Sequence, residues 1–156
     1  MSSHEPFRFQ ARIRMIDTDA SGRIHYTAMF RYYEAAEMEF LRTLGVTYTD
    51  CNTCNLPRVH VECDFLRVIK LDDEIDIEVS ITSVGRSSFR LEFQTFDAAE
   101  LAAKGAVVVA CVDRRTLGPA PIPDDLRARL CALVTEPRES RKREKTAPAK
   151  RGCLQA

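Results

Sequence analysis

The stretch that decides the fold is Asp17-Thr18-Asp19-Ala20-Ser21-Gly22-Arg23-Ile24-His25-Tyr26, which joins a strand-like segment to a long amphipathic helix. It places a carboxylate, a tight Ser-Gly turn and a helix start within a few residues of one another. A helix N-terminus carries roughly half a positive charge and unpaired N–H groups, which suit an oxyanion forming at an acyl carbon. Asp19 is therefore a candidate base or nucleophile for acyl transfer. The alternative is an aspartate that only forms a turn or a helix cap.

Outward from this loop, the hydrophobic pattern predicts one long helix and five strands. Apolar residues alternate from Phe7 to Met15, as in a strand with one buried face. Helical spacing runs from about Thr27 to Leu44, and Gly45 is placed to end the helix. Four further strands are predicted around residues 59–65, 75–81, 89–93 and 106–112. The last is apolar on both faces and is expected to be central. A short helix is predicted at 124–133.

This order predicts an α+β fold in which one long helix lies against a five-stranded antiparallel sheet. A single long helix cannot cover a whole apolar sheet face generously, so pairing with a second copy is the economical solution. We therefore expect a homodimer or a homotetramer, with the sheets of two copies paired.

Composition predicts one domain, at residues 1–136, followed by a tail at 137–156. The chain has 156 residues, of which 45% are hydrophobic and 29% charged, as is usual for a globular protein. Residues 138–156 hold seven basic and two acidic residues, so we expect a disordered basic tail and no nucleic-acid role for the domain itself. No apolar run is long enough to span a membrane, and no secretory signal is apparent.

The cysteines indicate a reducing, cytoplasmic location. Cys63, Cys111 and Cys131 fall within apolar strand or helix patterns and are expected to be buried thiols. Cys51 and Cys54 form a lone CxxC without the two further ligands that a structural zinc would need. We expect no metal and no organic cofactor.

The sequence resembles the hotdog-fold 4-hydroxybenzoyl-CoA thioesterase-like family of short acyl-CoA thioesterases, over nearly all of residues 7–133. Residues 17–22 are similar to the family's D-T-D-A-x-G loop. The helix that follows, the strand-to-turn passage and the last strand also match, at residues 30–42, 66–73 and 109–113.

The resemblance implies a thioesterase that cleaves acyl-CoA into free acid and coenzyme A. It makes Asp19 the catalytic carboxylate, as nucleophile or as general base, and Tyr26 the backbone N–H donor to the thioester oxygen. Arg86 corresponds to a basic residue that holds coenzyme A phosphates, and the active site lies at a dimer interface. His25 is a candidate for substrate contact. One bacterial branch of the family has its histidine one place later, where this chain has Tyr26.

Three alternatives remain open from the residues. The acyl group can be carried by an acyl-carrier protein, because the thioester chemistry is the same. A non-catalytic acyl-CoA-binding module is a second alternative, although binding alone does not require Asp19. A hotdog dehydratase or hydratase is the third, and the position of His25 does not resemble the motif of those enzymes. Arg23 is also unusual, and we expect it to pair with Asp17 or to reach an anionic acyl or phosphate group.

Overall fold

The computed structural model describes residues 5–46 and 54–135. Two α-helices and seven β-strands follow one another in these ranges, with a single 3-10 turn at Met15–Asp17. In chain order the helices and strands are β1 (Phe7–Arg12), α1 (Tyr26–Thr43), β2 (Cys54–Asn55), β3 (Arg58–Phe65), β4 (Glu74–Val84), β5 (Ser88–Asp97), β6 (Glu100–Ala110), β7 (Val112–Asp113) and α2 (Asp124–Ala132).

Five of the strands form one antiparallel sheet in the order β1-β4-β5-β6-β3. This confirms the predicted five-stranded antiparallel sheet and the α+β class. β2 and β7 form a separate antiparallel pair. In the five-stranded sheet, β1 and β3 are the two edge strands, and each has a neighbour on one side only.

The sheet has two ends, which matter for the site. At one end lie the end of β1, the start of β4, the end of β5, the start of β6 and the end of β3. The loop that contains Asp19 follows β1 at this end, which we call the loop end. The turn that contains Arg86 joins β4 to β5 at the opposite end, which we call the turn end.

Helix α1 packs on the inner face of the sheet, where alternate residues of β4 and β5 are buried. Tyr33 is fully buried, and its ring stacks on Phe93 with 4.5 Å between centroids. A Cβ at Gly105 of β6 would lie 2.5 Å from Cε2 of Tyr33 and 2.5 Å from the carbonyl oxygen of Glu62. Gly105 thus allows the helix to lie tightly on the sheet, which fixes the position of its N-terminus.

The ends of α1 and α2 agree with the sequence predictions to within one residue. Gly45 has φ +70°, and its N–H donates to the carbonyl of Arg42 at 2.9 Å. This is the left-handed residue that ends many helices.

Three predictions about the same elements are wrong. β1 ends at Arg12, so Met15 lies in the 3-10 turn and is exposed rather than buried. β6 begins at Glu100, because Ala98 and Ala99 close a tight hairpin with positive φ. Cys131 is exposed on α2. Cys51 and the tail at 137–156 lie outside the described residues.

Candidate active site

Residues 17–25 form a small hairpin at the loop end of the sheet. Thr18 and Ile24 make an antiparallel bridge, and the Asp19 N–H donates to the Arg23 carbonyl at 2.8 Å. The turn closes with the Gly22 N–H donating to the Asp19 carbonyl at 3.0 Å, and Gly22 has φ +74°. Aspartate at the first position and glycine at the fourth are the preferred residues for such a turn. The hairpin thus brings the chain back beside Asp19 just before α1 begins.

Asp17 is the buried anchor of this hairpin. Its side chain is completely enclosed and accepts hydrogen bonds from Arg14 Nε at 2.9 Å, Arg31 Nη2 at 2.6 Å and Tyr32 Oη at 2.6 Å. Its carbonyl accepts from the His25 N–H at 2.8 Å. Burial by itself would raise the pKa of Asp17, but the three hydrogen bonds outweigh it and hold the pKa well below its usual value. Arg14 and Arg31 are thus the basic partners of Asp17, rather than Arg23 as one of our expectations had it.

Asp19, in contrast, is exposed and held by its own turn. Its Oδ1 accepts from the Ser21 N–H at 2.7 Å and from the Ser21 hydroxyl at 2.5 Å. The Ser21 hydroxyl and then the Ser21 amide are the main causes that lower the pKa of Asp19, and the nearby His25 ring also lowers it. Both hydrogen bonds go to Oδ1, so Oδ2 is the oxygen that can face a substrate. The carboxylate is ionised at neutral pH, as either a base or a nucleophile must be.

The first turn of α1 leaves one backbone donor for a ligand. Thr27 N–H donates to His25 Nδ1 at 3.3 Å, and Ala28 N–H donates to the His25 carbonyl at 2.8 Å. Within the described residues, the Tyr26 N–H makes no hydrogen bond, and Tyr26 is 65% exposed. First-turn amides have no partner inside their own helix. The Tyr26 amide is therefore the donor at this helix end that remains available to an oxyanion.

His25 is the N-cap residue of α1. Its Nδ1 lies 2.7 Å from the Thr27 hydroxyl, and its ring stacks on that of Tyr26 with 4.5 Å between centroids. Histidine is not among the residues that usually cap helices, so residue type does not indicate this role. The structure brings Asp19, His25 and Tyr26 together at one place.

We expect the Ser21→Ala variant to shift the acid limb of the pH–rate profile to higher pH. The substitution removes the hydroxyl that contributes most to lowering the pKa of Asp19. A carboxylate that acts as base or nucleophile is protonated and becomes inactive as the pH falls through its pKa. A higher pKa therefore moves the fall in kcat/KM to higher pH. The check is kcat/KM measured from pH 3 to pH 8 for both proteins, with Ser88→Ala as a control in β5. An unchanged acid limb would show that Ser21 does not tune Asp19.

Arg86 does not belong to this cluster within one chain. It is exposed in the turn between β4 and β5, and its carbonyl accepts from the Ile122 N–H at 2.8 Å. Strand β4 separates this turn from the loop end, a length of about 33 Å for its eleven residues. Arg86 and Asp19 therefore lie at opposite ends of the same sheet.

The partners that hold the site in place have no signature in the sequence. Arg14, Arg31 and Tyr32 meet Asp17 only in the folded chain, and nothing in their spacing indicates it. Glu37 on α1 is a second carboxylate of this kind. It is buried, and Arg58 of β3 donates to it at 2.6 Å.

The described ranges hold neither a cluster of three or more metal-ligating side chains nor a helix long and apolar enough to cross a membrane.

Residues 13–130 match the family model of the Thioesterase-like superfamily. This match spans most of the chain, including the hairpin, α1 and the whole sheet except β1. The chain belongs to this superfamily. The hotdog fold and the family resemblance inferred from the sequence are thereby confirmed.

Relatives of known name agree with this assignment. The acyl-CoA thioesterase YbgC of Haemophilus influenzae is 30% identical over 125 residues, which cover 78% of this chain and 92% of that protein. A 1,4-dihydroxy-2-naphthoyl-CoA hydrolase of Synechococcus elongatus is 27% identical with the same coverage. The crystal structure of Slr0204, a 1,4-dihydroxy-2-naphthoyl-CoA thioesterase from Synechocystis, superposes with a TM-score of 0.75 at 20% identity. It covers 83% of this chain and 98% of that chain.

Proposed function

We propose that this protein hydrolyses acyl-CoA thioesters to free acid and coenzyme A. The observation that carries the proposal is the pairing of an ionised, exposed carboxylate with an available helix N-terminal amide. Asp19 and Tyr26 supply these two groups on either side of the hairpin. The names of the relatives support the same thioester chemistry, which needs no cofactor.

In this mechanism the thioester carbonyl oxygen accepts a hydrogen bond from the Tyr26 N–H, which stabilises the negative charge of the tetrahedral intermediate. Asp19 Oδ2 then acts in one of two ways. It takes a proton from water, whose oxygen attacks the acyl carbon, or it attacks that carbon itself and forms an anhydride that water cleaves. In both routes the carbon–sulfur bond breaks and the departing thiolate gains a proton.

His25 supports this mechanism by positioning the start of α1. Its ring caps α1 through Thr27 and stacks on Tyr26, so it holds the oxyanion donor in place. Its Nδ1 is already engaged with Thr27, which leaves Nε2 to contact the substrate.

A second copy of the chain is needed to enclose the site. Asp19 is exposed on the single chain, and so is an apolar patch along edge strand β3 and the segment that follows it. The side chains of this patch are between 43% and 61% exposed; they are Val59, Val61, Phe65, Leu66 and Val68. An apolar surface along an unpaired strand edge is typical of an interface. Pairing of β3 with β3 of a second copy would join the two sheets.

The direction of that pairing supports the role of Arg86. β3 runs from the turn end of the sheet to the loop end. If two β3 strands pair antiparallel about a two-fold axis, the turn end of one copy lies beside the loop end of the other. Arg86 of the second copy then lies at the same end of the joined sheet as Asp19 of the first, as a role in binding the phosphates of coenzyme A requires. Arg127 lies in the same region and donates to the Gly85 carbonyl at 3.2 Å.

We expect a heterodimer of Asp19→Asn with Arg86→Gln to have one intact site, with the wild-type KM and about half of the wild-type kcat. Asp19→Asn homodimers should be nearly inactive, and Arg86→Gln homodimers should have a raised KM for acyl-CoA. Differently tagged chains can be co-expressed and the heterodimer purified by both tags. If Asp19 and Arg86 acted within one chain, each site of the heterodimer would carry one defect, and the activity that remained would have the raised KM of the Arg86→Gln homodimer.

The carrier of the acyl group is tested by comparing kcat/KM for one acyl group on coenzyme A and on acyl-carrier protein. We expect the coenzyme A thioester to be preferred, because Arg86 meets nucleotide phosphates that the carrier protein lacks. Preference for the carrier protein would favour that alternative. Tight binding of acyl-CoA without turnover would favour the non-catalytic module.

A further inference from the structure

Arg23 and Lys70 form a pair of like charges beside Asp19 that the mechanism above does not use. The two residues make an antiparallel bridge, with the Ile24 N–H donating to the Ile69 carbonyl at 2.9 Å and the Leu71 N–H donating to the Gly22 carbonyl at 3.1 Å. Directly opposite residues in such a bridge have neighbouring side chains on one face. Both side chains are exposed.

This pair lacks the counter-ions that other cations around it have. Arg14 and Arg31 pair with Asp17, and Arg67 on the same connection as Lys70 pairs with Glu100. Within residues 5–46 and 54–135, neither Arg23 nor Lys70 makes an ion pair with a carboxylate. Like charges directly opposite each other destabilise a strand pair, so the arrangement is unfavourable until an anion lies between them.

The pair is also close to the reacting atoms. The Arg23 carbonyl accepts from the Asp19 N–H at 2.8 Å, and the Arg23 amide adds to the hydrogen bonding that lowers the pKa of the Asp19 carboxyl. A ligand group held by Arg23 and Lys70 therefore belongs to the same molecule whose thioester lies at Asp19.

We propose that Arg23 and Lys70 form an anion subsite that binds an oxyanion group of the substrate, either a phosphate of coenzyme A or a carboxylate on the acyl group. This inference rests on the proposed function, because it assigns the substrate of that same site. The guanidinium and the ammonium together provide two positive charges and several N–H donors, which match an oxyanion. The two residues act on substrate binding and leave the chemical step to Asp19.

The test uses four thioesters and the Arg23→Gln/Lys70→Gln variant of the full chain. Heptanoyl and adipoyl groups have similar length, and only adipoyl carries a carboxylate. Each is presented on coenzyme A and on pantetheine, which lacks the nucleotide and its phosphates. We expect the variant to raise KM about tenfold, with kcat preserved, for the two thioesters that carry the anion bound by the subsite. The single variant Arg23→Lys keeps the positive charge and should keep most of the affinity. The control Arg8→Gln removes a cation of β1 that pairs with Glu78, and it should leave KM unchanged for all four thioesters.

The pattern of KM identifies the source of the anion. A rise for both coenzyme A thioesters and for neither pantetheine thioester assigns the subsite to a phosphate. A rise confined to the two adipoyl thioesters assigns it to an acyl carboxylate. Unchanged KM for all four, an equal rise for heptanoyl-pantetheine, or a fall in kcat alone would overturn the proposal. The midpoint of thermal unfolding should stay the same or rise in the variant, because opposed like charges have been removed.

A binding measurement separates failure of this inference from failure of the proposed function. Calorimetric titration of the wild type and the double variant with coenzyme A, pantetheine and adipate needs no turnover. If no thioester is hydrolysed and yet the variant binds coenzyme A or adipate about tenfold more weakly, the subsite stands and the hydrolase fails. Equal affinities in both proteins, or no binding of any of these by the wild type, would overturn the subsite.

Discussion

The Asp19→Asn variant is expected to lose between about a hundredfold and ten-thousandfold in kcat while keeping its fold. Asparagine retains the shape of the side chain and an oxygen that can accept from Ser21, so the turn should persist. It removes the negative charge, and an amide neither takes a proton from water nor forms the anhydride. The loss should appear in kcat and in kcat/KM together, because the interaction is made in the transition state.

Asp124→Asn is a matched control for this substitution. Asp124 is exposed at the start of α2 and lies apart from the hairpin in the sheet topology. The Asp124→Asn variant removes the same charge and leaves the Asp19 carboxylate and the Tyr26 amide unchanged, so kcat should remain that of the wild type. If Asp19→Asn kept most of its activity while folded, the carboxylate would have no chemical role, and Asp19 would be only the first residue of its turn.

The Asp17→Asn variant is expected to lower the free energy of unfolding by about 3 kcal/mol, because it replaces a buried carboxylate that three donors surround. Tyr32 is buried and loses a charged acceptor, whereas Arg14 and Arg31 are partly exposed and can turn to water. The hairpin should loosen, so kcat should also fall. Asp125→Asn, which removes an exposed partner of Arg129, should cost less than about 0.5 kcal/mol.

The Asp17→Asn variant should also change how the stability of the protein depends on pH. The folded pKa of Asp17 is depressed, so the ionised form is favoured by folding. Its contribution is complete above the unfolded pKa of about 4 and declines as pH falls from there toward the folded pKa. In urea unfolding at pH 7, 5, 4 and 3, the free energy of unfolding of the wild type should fall as the pH falls. The fall should be weaker in the Asp17→Asn variant. If the free energy of unfolding depended on pH equally in the two proteins, Asp17 would not anchor the hairpin.

Much of this fold could be predicted from local pattern. The strict alternation at 75–81 and the helical spacing from Thr27 to Leu44 are signals that tertiary contacts reinforce. The start of β6 at Glu100 could not be predicted, because residues 101–105 are mostly alanine, lysine and glycine, which are depleted in strands. Met15 was predicted to continue a strand, since alternation alone does not indicate where a strand leaves its sheet.

The site could be predicted only in part, because some of its residues come together only in the folded chain. The D-T-D-A-x-G resemblance indicates Asp19 and the amide of Tyr26 directly. The partners of Asp17 come from residues up to fifteen positions away and meet only after the hairpin packs on α1. The separation of Arg86 from Asp19 depends on sheet topology, which short motifs do not encode. That separation changes the meaning of the Arg86 prediction, which now requires a second copy.

The most direct test of the central claim is hydrolysis of short, medium, long and aromatic acyl-CoAs by the wild-type protein, with free thiol and free acid both measured. Our account predicts that at least one of these thioesters yields coenzyme A and the free acid in equal amounts, at a rate far above that of the uncatalysed reaction. A folded protein that hydrolyses none of them, or that releases thiol without a matching free acid, would contradict it.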